Sequence, residues 1–142
     1  MNLTFRNGNS DLDIAMIVNY LQNDSYWAKG RSEARILAGI ANSLCFSVYE
    51  DKRQIGFGRA VTDQATVFYL ADIFILPEYQ GRGIGKQFMR HILSHPDLNG
   101  CRGILTTQTA HSFYAEFGFE SEHDIVKKRI MVLPKNNRPS EL

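Results

Sequence analysis

The sequence predicts a single α/β domain: a mixed sheet, mostly antiparallel with one parallel pair, carrying helices on both faces. Three observations predict it. Apolar residues recur at helical spacing twice near the start, the period then switches to two over a run of strands, and a glycine-rich segment leads from an apolar strand into a further helix. Length agrees, because 142 residues with 44% apolar content suffice for one core without staples. The domain is expected over 1–134, with a loose tail at 135–142 where proline, asparagines and charges replace apolar residues.

Leu3 to Arg6 alternates as a short strand, and Asn7 to Ser10 is turn chemistry leading into a helix. Ile14, Ile17, Val18 and Leu21 fall at i, i+3, i+4 and i+7, one buried helical face that ends near Asn23. The loop from Asn23 to Gly30 carries adjacent aromatics, Tyr26 and Trp27, which either plug the core or line a pocket. A second helix places Ala34, Leu37, Ile40 and Ala41 on one face. From Leu44 the period is two. Cys45 to Tyr49, Gln54 to Thr62 and Phe68 to Leu76 are strands separated by turns at Glu50 to Arg53 and Asp63-Gln64, an antiparallel meander. The third of these is nearly continuous in apolar residues, so it is expected to be central and buried on both faces.

Ile84, Phe88, Met89, Ile92 and Leu93 then mark a helix stopped by Pro96. Gly103 to Thr107 is a strand, a short helix runs from about Thr109 to Phe117 with Gly118 closing it, and Ile125 to Leu133 is a last strand. One more short strand fits near Phe119. The order is βααβββαβαβ, and the crossover through the third helix makes 66–76 and 103–107 parallel neighbours. Ends that splay apart would open a slot beside the glycines.

Composition excludes several functions. Sixteen basic and 15 acidic residues give a net charge of +1, scattered instead of striped, so nucleic acid is not an expected partner. Cys45 and Cys101 lie far apart without metal spacing, and no metal is implied. The first residues lack the apolar run of a secretion signal and no stretch approaches a membrane span, so a reduced, cytoplasmic setting is expected.

The segment Gln80-Gly81-Arg82-Gly83-Ile84-Gly85-Lys86 carries the chemistry. Its glycines remove the Cβ atoms that would hold a ligand off the main chain, and the following helix leaves its first amides unpaired. Such a turn binds an anion, phosphate above all. A Walker loop would need Gly at position 80 and Ser or Thr at 87, both of which are Gln. A dinucleotide fingerprint would need Gly where Lys86 stands. What remains, Gln-x-x-Gly-x-Gly after a strand, resembles the acyl-CoA pyrophosphate loop of the GNAT superfamily of N-acyltransferases. The order of elements over almost the whole chain is similar to that superfamily too.

The resemblance implies that acetyl-CoA is the co-substrate, its diphosphate held by the amides of Gln80, Gly81, Arg82, Gly83, Ile84, Gly85 and Lys86. Arg82 and Lys86 either add charge there or are solvated cations. It also implies that backbone groups of Ile73, Phe74 and Ile75 pair with the pantetheine arm, an N–H near Ile75 serving as oxyanion donor. Phe113-Tyr114-Ala115-Glu116-Phe117-Gly118-Phe119 looks like the superfamily's closing motif, which makes Tyr114 the general acid. A phenol with pKa near ~10 stays protonated at neutral pH and can protonate a departing thiolate. Ala110, four residues before that Tyr, matches the family; seven before it, where many members carry Asn, this chain has Thr107, the position assigned beside the cofactor. His111 shares a helix face with Tyr114.

Asp72 interrupts the apolar strand, and a buried carboxylate must be paired or its pKa rises. It is expected either to take the amine's proton or to bond a neighbouring strand, with Arg59 the candidate partner. In some family members a strand carboxylate nearer the position of Tyr69 is the base. The acceptor is sought at Tyr26, Trp27 and Asp72, with Arg31 and Glu33 beside them, or at the acidic group Glu120, Glu122, His123 and Asp124. The expected activity is acetyl transfer from acetyl-CoA to a primary amine, the acceptor a small molecule, by direct attack. No base pairs with either cysteine in the pattern, which disfavours an acyl-cysteine route. A non-catalytic acyl-CoA-binding or sensing module is the alternative. A homodimer is an expected assembly, since dimers are common in the family the chain resembles.

Overall fold

The computed structural model describes residues 2–121 and 130–135. The chain divides into two compact units, Met1–Thr106 and Thr107–Leu142.

The first unit is a five-stranded sheet in chain order. Strands β1 (Leu3–Asn7), β2 (Leu44–Glu50), β3 (Arg53–Thr62) and β4 (Val67–Ile75) pair antiparallel, and β4 pairs parallel with β5 (Arg102–Ile104). The parallel ladder is brief, from Val67 opposite Arg102 to Tyr69 opposite Ile104, after which β4 runs on to Ile75 alone on that side. This is the expected splay. Gly103 permits the close pairing, because a Cβ there would run into the Phe68 ring.

Helices cover both faces. On one, α1 (Ile14–Asn19), the turn that follows it and α2 (Glu33–Ala41) bury Ile17, Tyr20, Leu21, Ile36 and Ile40 against Phe57 and Phe74 of the sheet. On the other, α3 (Ile84–Leu93) brings Phe88 and Ile92 over Gly58, where an added Cβ would sit 3.5 Å from Ile92 and 3.0 Å from Ile73. The coverage is partial. Val67 and Tyr69 remain exposed, so β4 alternates along its first half where its apolar run predicts burial on both faces. The side chains of α3 meet that face only farther along, near Ile73.

Two local features depart from the regular elements expected. The first helix does not run on as an α-helix: Tyr20–Asp24 is a π turn closed by the Ser25 amide on the Tyr20 carbonyl at 2.9 Å. The Ser25 hydroxyl fixes it, donating to the Leu21 carbonyl at 2.7 Å and accepting from the Ala28 amide at 3.1 Å. Such wide turns concentrate at functional sites. In the sheet, register slips between Phe57–Phe74 and Arg59–Ala71, so Asp72 and Ile73 together face Gly58. Asp72 sits in this β-bulge at φ 56°, a left-handed conformation that Asp tolerates better than most residues.

In the second unit, α4 (His111–Ala115) is a short helix followed by Gly118 at φ 95°, whose amide bonds the Ala115 carbonyl at 3.0 Å. Phe119 and Glu120 form no strand. The last strand expected over 125–133 falls, for 125–129, outside the described residues, and Ile130 to Leu133 carry no ladder among the described residues. Residues 122–124 and 136–142, which hold most of the acidic group and of the tail, also lie outside. No helix among the described residues is long and apolar enough to cross a membrane.

Candidate active site

The glycine segment has the geometry its sequence implies. Gly81 and Gly83 stand at φ 78° and 79°, and nothing lies within 4 Å of a Cβ built on either, so their outer side is open. Gly83 caps α3, with no side chain bonding the first turn. Among the described residues, none of the amides from Gly81 to Gly85 meets a protein acceptor. A run of free N–H groups at a helix start, with no Cβ to obstruct approach, suits a diphosphate.

Two side chains lock this turn. Gln80 turns inward, its Nε2 donating to the Ile75 carbonyl at 2.8 Å, which ties the turn to the end of β4. Arg82 packs its guanidinium 5.5 Å from the centre of the Tyr79 ring, and Arg53 lies 5.4 Å from it. Arg53 also donates to the Tyr79 hydroxyl at 3.2 Å and pairs with Glu78 at 2.8 Å. Tyr79 carries no motif in the sequence, because its cation partner Arg53 comes from another strand.

Asp72 is the most heavily engaged polar side chain of the sheet. Only 7% exposed, it receives Arg59 Nε at 2.8 Å, Arg31 Nη1 at 2.9 Å and Trp27 Nε1 at 2.8 Å. Arg59 is the partner expected from the sequence, and its Nη1 continues to the Ser43 hydroxyl at 2.9 Å. Burial pushes the Asp72 carboxyl up, but the Arg59 hydrogen bond, the charges of Arg59 and Arg31 and the Trp27 bond together hold it below its ordinary range. It is therefore ionised at neutral pH.

Those bonds also place the loop between the first two helices. Trp27 and Arg31 reach across to the bulge, so the loop aromatics are anchored to the sheet, with Tyr26 52% and Trp27 38% exposed. Tyr26 meets Trp27 edge-on at 5.2 Å, and Tyr20, from the π turn, stacks on Phe74 at 3.9 Å. Within the loop, Gln22 Nε2 holds the Arg31 carbonyl at 2.9 Å. The structure thus brings together Tyr26, Trp27, Arg31 and Asp72, while Glu33 opens α2 on an exposed position. Ile73, Phe74 and Ile75 follow directly, on the part of β4 that β5 no longer pairs. Tyr69 takes a different partner, its hydroxyl 2.9 Å from Thr106 Oγ1.

In the second unit, Tyr114 lies half-buried on α4, its ring 5.1 Å from Phe113 and 6.0 Å from Phe119. Thr107 Oγ1 accepts the Ala110 amide at 3.0 Å and so shapes the turn that starts this helix. His111 is exposed. Cys45, by contrast, is fully buried in β2, and burial pushes its thiol up to about 11, which leaves no thiolate for attack at neutral pH. Among the described residues, no group of three or more His, Cys, Asp or Glu could hold a metal ion.

Comparison with known proteins agrees with this geometry. The model of the acetyltransferase (GNAT) domain matches residues 41–121. A Gibberella zeae protein classed as an acetyltransferase, FG08082, is 31% identical over 133 residues, covering 77% of this chain and 74% of that one. A solved structure from Xanthomonas campestris pv. campestris, ascribed to the GNAT family, superposes with a TM-score of 0.82 at 38% identity, covering 92% of this chain and 94% of that one. A GNAT family protein from Streptococcus pneumoniae TIGR4, SP0256, shares the fold at 19% identity with a TM-score of 0.72, covering 94% and 99%. Open glycine turn, splayed parallel strands and these likenesses converge, and the chain belongs to the GNAT superfamily of acetyltransferases.

Proposed function

We propose that the enzyme transfers the acetyl group of acetyl-CoA to a primary amine of a small molecule by direct attack within a ternary complex. The observation that carries this reading is the run of free amides from Gly81 to Gly85 on an open glycine turn at the start of α3. Those amides hold the diphosphate of the donor, and Lys86 stands next to them on α3. Backbone groups of Ile73 to Ile75, left without a strand partner on one side, take the acyl-bearing arm, and an N–H near Ile75 stabilises the oxyanion.

The amine nitrogen attacks the thioester carbonyl to form the C–N bond, the C–S bond breaks, and the proton lost by the nitrogen passes to solvent water. Tyr114 supplies a proton to the departing sulfur. Thr107 shapes the turn that presents the Tyr114 helix. Asp72 acts through position: a carboxylate held ionised by two guanidiniums is a weak base, but it fixes Trp27 and Arg31 where the acceptor binds.

Thiol release from acetyl-CoA, measured over a panel of small amines together with calorimetric acetyl-CoA binding, tests this. Amine-dependent release is the expected result. Tight acetyl-CoA binding with no release for any amine would indicate a non-catalytic binding module instead.

A further inference from the structure

Arg31 is only partly used by the protein. Its Nη1 spans both oxygens of Asp72, at 3.1 and 2.9 Å, while its Nε and Nη2 donate to nothing among the described residues. The side chain is 28% exposed, against 4% for Asp72. The guanidinium is thus clamped at one end, and its other edge has no protein partner among the described residues on a side chain that is partly exposed. That edge, Nε with Nη2, is the fork that matches a carboxylate with two parallel hydrogen bonds.

Charge points the same way. Arg31 and Arg59 bring two cations to the single carboxylate of Asp72, so the cluster keeps one positive charge in excess. Arg59 is spent inside, on Asp72 and Ser43, and is less exposed than Arg31. The excess charge is therefore available at Arg31. A cationic polyamine would meet repulsion there, whereas an amine that also carries a carboxylate would meet its counter-ion.

Position completes the case. Arg31 is held to Asp72, and Asp72 immediately precedes the Ile73–Ile75 backbone assigned to the donor's arm. The exposed rings of Tyr26 and Trp27 stand on the same loop. Resting on the acetyl-transfer reading above, we propose that the acceptor is a small amino acid-like molecule whose carboxylate docks on the Nε–Nη2 edge of Arg31. Asp72 is the positioning residue that keeps this edge turned outward. The dock itself needs no covalent step.

Calorimetry on the full chain tests the dock without relying on turnover. A panel of L-amino acids is titrated, each as the free acid, as its carboxamide and as the decarboxylated amine, with and without CoA. The expected result is that at least one free acid binds about tenfold or more tighter than its own carboxamide, the scale of a charge-assisted hydrogen-bonded pair. Arg31→Gln should remove that preference. Because this variant also strips Asp72 of a partner and could fail to fold, Arg31→Lys is the companion: it keeps a cation beside Asp72 but lacks the fork, and should bring the ratio below about threefold. Equal affinity or no binding across every acid and carboxamide pair, tighter binding of the decarboxylated amines, or an unchanged ratio in Arg31→Lys overturns the proposal. Acetyl-CoA titrated alone separates the two readings, since its failure to bind would remove the donor site and leave the acid to carboxamide ratio as measured.

Discussion

Arg59 Nε lies 2.8 Å from Asp72 Oδ2 across the β3–β4 ladder, at the bulge where the two strands lose register. The pair fixes more than two strands, because the same carboxylate receives Trp27 and Arg31 from the loop between α1 and α2. The sheet and the loop between α1 and α2 are joined through one side chain.

Asp72→Asn isolates that charge, since Asn accepts the left-handed backbone at this bulge as readily as Asp. Two guanidiniums left facing a neutral amide should destabilise the fold by about 3 kcal/mol, the scale for breaking a buried ion pair. The pH dependence has a definite sign. The folded Asp72 carboxyl is held below its ordinary value of 3.8, so its contribution is present above that value and is lost as pH falls through the folded pKa. Urea unfolding of both proteins at neutral pH and at successively lower pH below that value should show the gap narrowing as pH falls. A constant gap would mean that the charge contributes nothing.

Gly83→Ala should separate stability from donor binding. At φ 79° a Cβ costs roughly 1 kcal/mol or slightly more, yet it meets no protein atom within 4 Å. It adds a methyl group to the open side of the turn that carries the free amides. Acetyl-CoA affinity is expected to fall by about tenfold or more while the melting temperature drops by only a few degrees. Unchanged affinity would move the diphosphate site elsewhere.

Tyr114→Phe removes only the hydroxyl. If that group protonates the leaving thiolate, kcat should fall by about a hundredfold or more, with acetyl-CoA affinity within about twofold of the parent. Comparable losses in binding and turnover would instead indicate that the hydroxyl supports the cofactor.

Gln80→Ala leaves the Ile75 carbonyl without its donor and unties the glycine turn from β4. A loss of about 1 kcal/mol in stability is expected, with a raised KM for acetyl-CoA and little change in kcat. A fall in kcat alone would contradict a role limited to holding the turn.

Much of the glycine turn could be read directly from the chain. Gln80 to Lys86 is contiguous, and its open shape depends on glycine at two left-handed positions and on the start of a helix, all of them local. The strands of the meander were equally legible from period-two patterning, and so was the parallel return through α3. The π turn at Tyr20–Asp24 was not, because its wide bond is set by Ser25 and the loop beyond it rather than by apolar spacing. Nor was the exposure of Val67 and Tyr69, which depends on where α3 reaches the sheet.

What the sequence determined by itself is therefore the fold class and the open glycine turn before α3, since both follow from interactions between residues close along the chain. The tertiary structure alone decided what surrounds Asp72. Arg31 and Trp27 stand 41 and 45 residues away in sequence, and Arg59 faces Asp72 only because the ladder bulges there. A slip of one residue in that register would turn the carboxylate to the opposite face. Hydrophobic periodicity marks which residues are buried, but long-range register decides which polar groups meet, and here it brings Arg31 onto Asp72 with one edge of its guanidinium unbonded among the described residues.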